Sequence, residues 1–272
     1  MRTPFAFSAL QFILLLIFMV AVFLISGAEV VFASVAQNCS TRHYQETVTA
    51  DYVYDGDTVH LLDGRKVRLI GINTPEHGQK GKADEPFYRA AKIQLQQIIN
   101  ETHGKLKLLY GIEKHDRYQR LLAHIYTPQG TNISAVLLEK GLGYSIAIPP
   151  NIKLLACYQD AETKAKKHKR GLWNHSFGQP IEVTALKEST RGFHQVIGTV
   201  QRIGDSHSSF WLNLGKTFAL RIPKKDLDYF VDYPPASLLH KRLVARGWIY
   251  KKNHQLRMAI RHPASLQIQN TD

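Results

Sequence analysis

Attack of water on an anionic centre asks three things of a protein: a group that makes water nucleophilic, positive charge that neutralises the centre, and a grip on the rest of the anion. Four short stretches between residues 55 and 120 hold side chains of these types. Asp57, in Asp55-Gly56-Asp57-Thr58, stands just past a turn, and its carboxylate is a hard oxygen donor suited to Ca2+ or Mg2+. Arg68 lies on a strand among Val67, Leu69 and Ile70; a guanidinium can donate two parallel bonds to a phosphate, which a lysine cannot. In Asn73-Thr74-Pro75-Glu76 the proline stiffens the chain where Glu76 emerges, fitting that carboxylate for general-base work. His115-Asp116-Arg117-Tyr118-Gln119-Arg120 adds a second guanidinium at Arg120, beside Arg117 and Tyr118. Taken singly, these are a hairpin turn, a strand arginine, a glutamate after a proline turn and a charged turn. Taken in order, they form a set.

The elements that must position them follow from patterning. Tyr52-Val53-Tyr54, Val59-His60-Leu61-Leu62 and Lys66-Val67-Arg68-Leu69-Ile70 alternate around two Asp-Gly turns, which predicts an antiparallel meander ending at Asn73-Thr74-Pro75-Glu76. After a basic, glycine-containing loop, Pro86 opens a helix capped by Asp84 or Glu85, with Phe87, Ala91, Leu95 and Ile98 on its buried face. Strands are expected at 106–110 and 121–126, then a helix from Asn132 stopped by Gly141, then one from about Leu154 to Arg170. This order is α+β rather than a parallel α/β wind.

The remaining chain bounds the setting. Its 272 residues suffice for two domains, and 44% hydrophobic content excludes a disordered class. Lys and Arg number 35 against 22 Asp and Glu, for a formal charge of +13, and only Arg2 and Glu29 fall in the first 36 residues. Such a field draws polyanions, either nucleic acid or an anionic membrane surface. Residues 5–26 are almost wholly apolar, interrupted only by Ser8 and Gln11, and read as a signal peptide or a retained membrane anchor within 1–36. Either way the chain from about Gln37 is expected outside the cytoplasm. Cys39 and Cys157, the two cysteines, are open to a disulfide there or to two free thiols. Thirteen histidines scatter without a ligand-pair spacing.

From Glu182 strand patterns resume, at 196–200, 210–214, 218–222, 243–250 and 256–260, with a short helix around 225–230. Five strands with one helix suit a second small barrel of the oligonucleotide-binding (OB) type. Basic and aromatic residues interleave there, among them Trp211, Arg221, Trp248 and Arg257, as in single-strand binders; either tryptophan alternatively points inward as core.

The ordered motifs Asp-Gly-Asp-Thr, Arg-Leu-Ile-Gly-Ile-Asn-Thr-Pro-Glu, Asp-Arg-Tyr-x-Arg and Lys-Arg-Gly-Leu-Trp resemble the staphylococcal thermonuclease (micrococcal nuclease) family over roughly residues 50–174. The resemblance implies a five-stranded OB-type barrel with three helices spanning 45–175, before the second unit at 181–270. It implies Asp57 as a direct Ca2+ ligand, with Asn73 and the Thr74 carbonyl completing the protein side of the shell. Glu76 would be the general base, and Arg68 and Arg120 would stabilise the pentacoordinate transition state. Arg117 and Tyr118 match positions that contact the neighbouring phosphate, while Lys80 and Lys82, on a shortened loop, would meet backbone phosphates. DNA and RNA are both substrates in the family, with 3′-phosphorylated products.

Two departures matter. Asn73 is aspartate in the best-studied members, so its carbonyl can ligate but brings no charge. Near Gly143-Tyr144-Ser145-Ile146-Ala147 the family sets aromatic rings against the nucleotide, and Tyr144 alone is present.

The expected function is therefore an exported, metal-dependent nuclease with no protein partner, touching membrane only through residues 5–26 if these are retained. The alternatives are a catalytically weak protein that captures nucleic acid at the cell surface, or an envelope protein meeting anionic lipid. Glu76 beside two arginines favours the enzyme, because pure binding needs no carboxylate facing phosphates.

Overall fold

A computed structural model describes residues 39–78 and 81–269. The expectations for residues 1–36 and for Lys80 lie outside this range. Among the described residues, no helix is long and apolar enough to cross a membrane.

Alternation in β1 (Glu46–Asp55) turns Val48 and Ala50 inward and, past a register shift, Val53 and Asp55, and the Asp55-Gly56-Asp57-Thr58 turn hands the chain to β2 (Thr58–Leu61). With β3 (Lys66–Leu69), β5 (Lys105–His115) and β6 (Leu121–Tyr126) these strands close a barrel in the order β1-β2-β3-β6-β5. All its pairs are antiparallel except β3 with β6. Val59, Val67, Leu106, Leu108, Ala123 and Ile125 are fully buried within it. Each large aliphatic side chain so removed from water contributes about 1.5–3 kcal/mol.

Three helices cover the barrel: α1 (Tyr88–Glu101), α2 (Ile133–Glu139) and α3 (Leu155–Lys167). The Asn132 side chain caps α2 by accepting from the Ala135 N–H at 3.0 Å. The start of α1 differs from expectation. Its N-cap is Phe87, in a left-handed conformation, and neither Asp84 nor Glu85 caps it with a side chain. Both carboxylates are used elsewhere, as described below.

The strand carrying Arg68 also ends sooner than its hydrophobic run suggests. A turn at Gly71 separates β3 from β4 (Ile72–Asn73), which leaves the barrel and pairs with β7 (Tyr144–Ser145). Gly71 has a φ of +83°, and a Cβ there would sit 2.1 Å from the Tyr158 ring, so only glycine fits. Thus Asn73 belongs to a two-stranded ribbon, not to the end of a barrel strand.

Cys39 and Cys157, 118 positions apart in sequence, form a disulfide with Cα atoms 5.6 Å apart. The bridge staples the segment before β1 to α3. Replacing both cysteines by serine should cost about 2–4 kcal/mol, the usual effect of removing a disulfide that closes a long loop. A denaturation midpoint equal to the parent's would contradict this.

Beyond two short 3-10 turns at Gly171–Asn174 and Ser176–Gly178, the chain builds an eight-stranded sheet. Its strands are β8 (Ile181–Glu182), β9 (Gly192–Thr199), β10 (Arg202–Ser206), β11 (Ser209–Asn213), β12 (Phe218–Pro223), β13 (Arg242–Lys252), β14 (Gln255–Ala259) and β15 (Leu266–Ile268). The path runs β10-β11-β12-β14-β13-β9-β8, with β15 on β13. Only β12 with β14 and β8 with β9 are parallel. The expected helix near 225–230 is a 3-10 helix, Lys224–Phe230. This sheet has its own core, centred on Val196, Leu212, Phe218, Leu220, Leu243 and Met258. Neither tryptophan belongs to it: Trp211 is half-buried and Trp248 is 40% exposed.

The two units meet over mixed contacts. Tyr144 packs on Phe193 with ring centroids 5.0 Å apart, and Phe193 on Trp248 at the same spacing. The Tyr144 hydroxyl donates to the Phe177 carbonyl at 3.0 Å. Tyr144 is therefore buried between the units and unavailable to a nucleotide. Beside it, buried Glu162 of α3 receives Arg246 of β13 at 2.7 and 2.8 Å, Lys166 at 2.9 Å and the Ser145 N–H at 2.8 Å. The stretch between the units, with Phe177 in its 3-10 turn, is part of this packed junction.

Candidate active site

Asp57 stands at the centre. Gly56 lets its turn press against α1 and the following loop: a Cβ there would lie 2.6 Å from Ala91 Cβ and 2.8 Å from Thr74 Oγ1. Asp57 Oδ2 accepts from the Thr74 N–H at 2.8 Å and the Thr74 hydroxyl at 3.0 Å, and lies 3.0 Å from Arg68 Nη2. Its Oδ1 accepts from the Thr58 hydroxyl at 3.3 Å.

Arg68 is buried, and its fork is turned inward. Nη1 donates to the Leu69 and Ile72 carbonyls at 2.7 and 2.9 Å, and Nη2 donates to Asn73 Oδ1 at 3.2 Å. A substrate phosphate must therefore use Nε or exchange with the Asp57 and Asn73 contacts. The sequence suggested a free fork; the β3–β4 turn supplies carbonyls that hold it.

Arg120 reaches the same cluster from the β5–β6 turn. Its Nη1 donates to Thr58 Oγ1 at 3.3 Å, and Nε and Nη2 both lie 2.8 Å from Asp116 Oδ2. Burial raises the Asp116 pKa, but hydrogen bonds from Arg120 outweigh it and hold the carboxyl below its usual range. Tyr118, 63% exposed, lies between Arg117 and Arg120, whose guanidinium carbons sit 4.7 and 5.5 Å from its ring centroid. Arg117 Nη2 also donates to the Tyr118 hydroxyl at 2.6 Å. Lys82 is exposed on the loop ahead of α1 and is not drawn into this cluster.

Glu76 follows Pro75 on a loop that Glu85 holds at two points. The Glu76 N–H donates to Glu85 Oε2 at 2.8 Å, and the Glu85 N–H donates to the Glu76 carbonyl at 3.0 Å. Asp84 ties the next residues, accepting from the Gly78 N–H at 3.1 Å and pairing with His77 and Arg89. These two acids brace the loop instead of capping the helix. Sequence spacing does not reveal that use, because the acceptors sit after the residues they hold.

Electrostatics unite the groups. Burial and the neighbouring Asp57 carboxylate push Asp55 up to about 6. Protein crowded around the solvent-reached Glu76 carboxyl, followed by Asp57 and Asp55, pushes it up to about 7 against the pull of Arg68. Asp55, whose Oδ1 accepts from the Asp57 N–H at 3.0 Å, was not singled out from the sequence. Its signal was its place in the Asp-Gly-Asp turn.

Asp57 pairs with the one buried guanidinium at 3.0 Å, Asp55 and Glu76 feel both charges, and protons are retained where positive charge is short. The donors available are all hard oxygens: Asp57, Asn73 Oδ1 and the Thr74 carbonyl. That set fits a divalent cation such as Ca2+ or Mg2+ in charge and chemistry. Among the described residues no three His, Cys, Asp or Glu side chains converge to hold an ion alone, so waters or phosphate oxygens must complete a shell. Asn73→Asp adds a charge where the set has a neutral oxygen. It should tighten Ca2+ binding in calorimetry by about tenfold or more, and unchanged affinity would remove Asn73 from the set.

A closed five-strand barrel, with carboxylates and arginines gathered at its β1–β2 turn and the loop after β3, is an OB-type barrel. Residues 66–175 match the family model described as Staphylococcal nuclease homologue. The thermonuclease of Staphylococcus intermedius is 32% identical over 138 residues, 49% of this chain and 80% of that protein. The chain belongs to the staphylococcal nuclease family. Endonuclease YhcR of Bacillus subtilis (strain 168) is 32% identical over 162 residues, 54% of this chain but 13% of that protein. Endonuclease YncB of the same organism is 31% identical over 134 residues, 47% of this chain and 62% of that protein. The chain therefore spans less than two thirds of these two relatives, and the sheet from Ile181 onward lies outside the family match.

Proposed function

We infer that this chain is a metal-dependent nuclease hydrolysing phosphodiester bonds of DNA or RNA. One observation carries the reading: the Asp57 carboxylate, held by the Thr74 N–H and hydroxyl, lies 3.0 Å from the buried Arg68 guanidinium, and Arg120 joins it through the Thr58 hydroxyl, so that an acid and two arginines distant in sequence share one cluster. The relatives' names, thermonuclease and endonuclease, support it.

A divalent cation, Ca2+ by family resemblance, would be held by Asp57, Asn73 Oδ1 and the Thr74 carbonyl, and would polarise a phosphoryl oxygen when bound. Glu76, charged above its pKa, takes a proton from water as the water oxygen bonds to phosphorus. Arg120, aligned by Asp116, and Arg68 balance the added negative charge at the pentacoordinate stage. The phosphorus–oxygen bond to the 5′ oxygen of the leaving sugar then breaks, that oxygen takes a proton from solvent to become a hydroxyl, and phosphate stays on the 3′ side. Arg117, Tyr118, Lys80 and Lys82 hold flanking phosphates.

We also infer that the chain works outside the cytoplasm, exported or tethered by residues 5–26. The units are taken as 45–175 and 181–270. The second reads as another OB-type barrel, since β9 and β10 are separated by Val200-Gln201 alone and the order β10-β11-β12-β14-β13-β9 parallels that of the first.

The test is incubation of the purified, disulfide-intact chain with plasmid and RNA, with Ca2+ or with a chelator. Chelator-sensitive cutting supports the enzyme. Nucleic acid retarded but intact under all conditions would leave only capture.

The raised acids set a pH dependence. In metal-free protein their contribution to stability is present below the unfolded pKa near 4 and is lost as pH rises through about 6 to 7. A cation reverses that loss, so the rise in melting temperature on adding Ca2+ should be larger at pH 8 than at pH 5.5. Equal rises at both would detach these acids from the cation.

A further inference from the structure

The outer face of the second sheet carries a site that the hydrolysis reading does not use. Gly204, Trp211 and Arg221 are cross-strand neighbours on β10, β11 and β12. In the adjacent row, Arg202, Asn213, Ala219 and Arg257 stand side by side across β10, β11, β12 and β14. Gly204 and Ala219 keep the floor low between the longer side chains. The result is a groove of about 250 Å3 lined by Arg202, Gly204, Trp211, Asn213, Gln255 and Arg257.

Its side chains are arranged rather than merely exposed. The Arg257 guanidinium lies over the Trp211 ring, 4.6 Å from its centroid, and its Nε donates to Gln255 Oε1 at 3.0 Å. Trp211 Nε1 is tied to Ser206 Oγ at 3.1 Å, and Arg221 Nε to Ser209 Oγ at 2.8 Å. The amides of Asn213 and Gln255 border the ring. The ion-paired carboxylates of this unit take Arg242, Lys251, Lys224 and Arg261 as partners. Among the described residues, no salt bridge reaches Arg202, Arg221 or Arg257, so their charge is left for an outside anion.

We propose that this groove binds single-stranded nucleic acid, with a base stacking on the Trp211–Arg257 platform and phosphates meeting Arg202 and Arg221. A single strand exposes its base faces, whereas a duplex encloses them and offers this surface phosphates alone. An anionic membrane would need apolar side chains to insert, and the outward positions of these strands hold Arg, Gly, Ser, Asn, Gln, Ala and a buried Pro223 around the one tryptophan. Three inter-strand steps of about 4.8 Å give the face a width of ~14 Å, enough for an extended strand to lie across it. The proposal does not depend on hydrolysis, since a strand held here need not be cut.

The experiment uses the full chain carrying Glu76→Gln in the presence of a chelator, so that cutting does not interfere. Fluorescence anisotropy follows a labelled single-stranded oligonucleotide, its duplex, and competition by polyphosphate as an anion without bases. Trp211→Ala should weaken single-strand binding about tenfold, Trp211→Phe should restore most of it, and duplex binding should change little. Arg202→Gln and Arg221→Gln should each lower the salt slope by about 0.7. Single-strand affinity unchanged in Trp211→Ala would overturn the proposal. So would polyphosphate binding that is as tight and as sensitive to Trp211→Ala, because that leaves only attraction between opposite charges. If Trp211→Ala melts early, Arg221→Gln answers the same question: no loss of affinity or slope counts against the site. Cutting that persists while these binding results fail would leave the nuclease reading intact, and the converse holds.

Discussion

Glu76→Gln should lower kcat by about 10²- to 10⁴-fold, the usual worth of a general base. Glutamine keeps the length and much of the polarity of the side chain but cannot accept the proton from water. The loop should stay in place, because Glu85 holds it through the backbone of residue 76 rather than through its side chain. The substitution also removes one of three crowded carboxylates, so the metal-free variant should melt no earlier than the parent at pH 8. Falling activity with undiminished stability separates a chemical role from a structural one. The pH profile separates it further: the parent's kcat/KM should rise with pH through the Glu76 titration, and the variant's should lose that rise. A variant that cuts at the parental rate would take the proton-accepting role away from Glu76.

The second large effect lies far from this carboxylate. Arg246→Ala should destabilise the protein by about 3–5 kcal/mol, since it strips the main partner from a carboxylate buried between two units. Lys166 remains on Glu162, which keeps the loss from being larger. Burial alone would raise the Glu162 pKa, yet Arg246 and Lys166 hold it below the usual range. The sign follows: this stabilisation is present above the unfolded carboxylate pKa and is lost as pH falls through the lower folded value. Denaturant unfolding at pH 7 and at pH 3.5 checks both points, and the gap between parent and variant should narrow at the acid end. A gap that stays constant with pH would mean that Arg246 acts through packing rather than charge. Because Glu162 also holds the Ser145 N–H, and β7 pairs with the ribbon strand bearing Asn73, calcium affinity should weaken in the same variant.

The first barrel was legible because its signals are local. Asp-Gly turns, alternating strands and the Asn132 cap each act within a few residues, and the motif order fixed where Asp57, Arg68, Glu76 and Arg120 fall along them. What escaped notice depends on distant partners. The β4–β7 ribbon has two residues on each side, too few for any periodicity. Strand β10, Arg202-Ile203-Gly204-Asp205-Ser206, turns only the half-buried Ile203 to the core, too little for a pattern, and shows itself through its pairing with β11. Asp116 reads as part of a charged turn, and Asp84 and Glu85 as helix caps, until their partners are seen. Glu162 reads as part of a charged helical face, since nothing near it in sequence announces Arg246. The inward turn of the Arg68 fork follows from the Gly71 bend, which a hydrophobic run of strand residues conceals.

The covalent bridge to α3 also decides how the molecule bears mechanical load. Tension entering from the segment before Cys39 passes through sulfur into the first turns of a helix packed on the barrel. β1 is thereby shielded from being peeled off β2 and β5, and the Asp55–Thr58 hairpin with it. In a reducing medium the same pull would act on β1 directly. A protein moored by its leading end would then lose its carboxylate turn first, and thiol chemistry would set its tolerance of force.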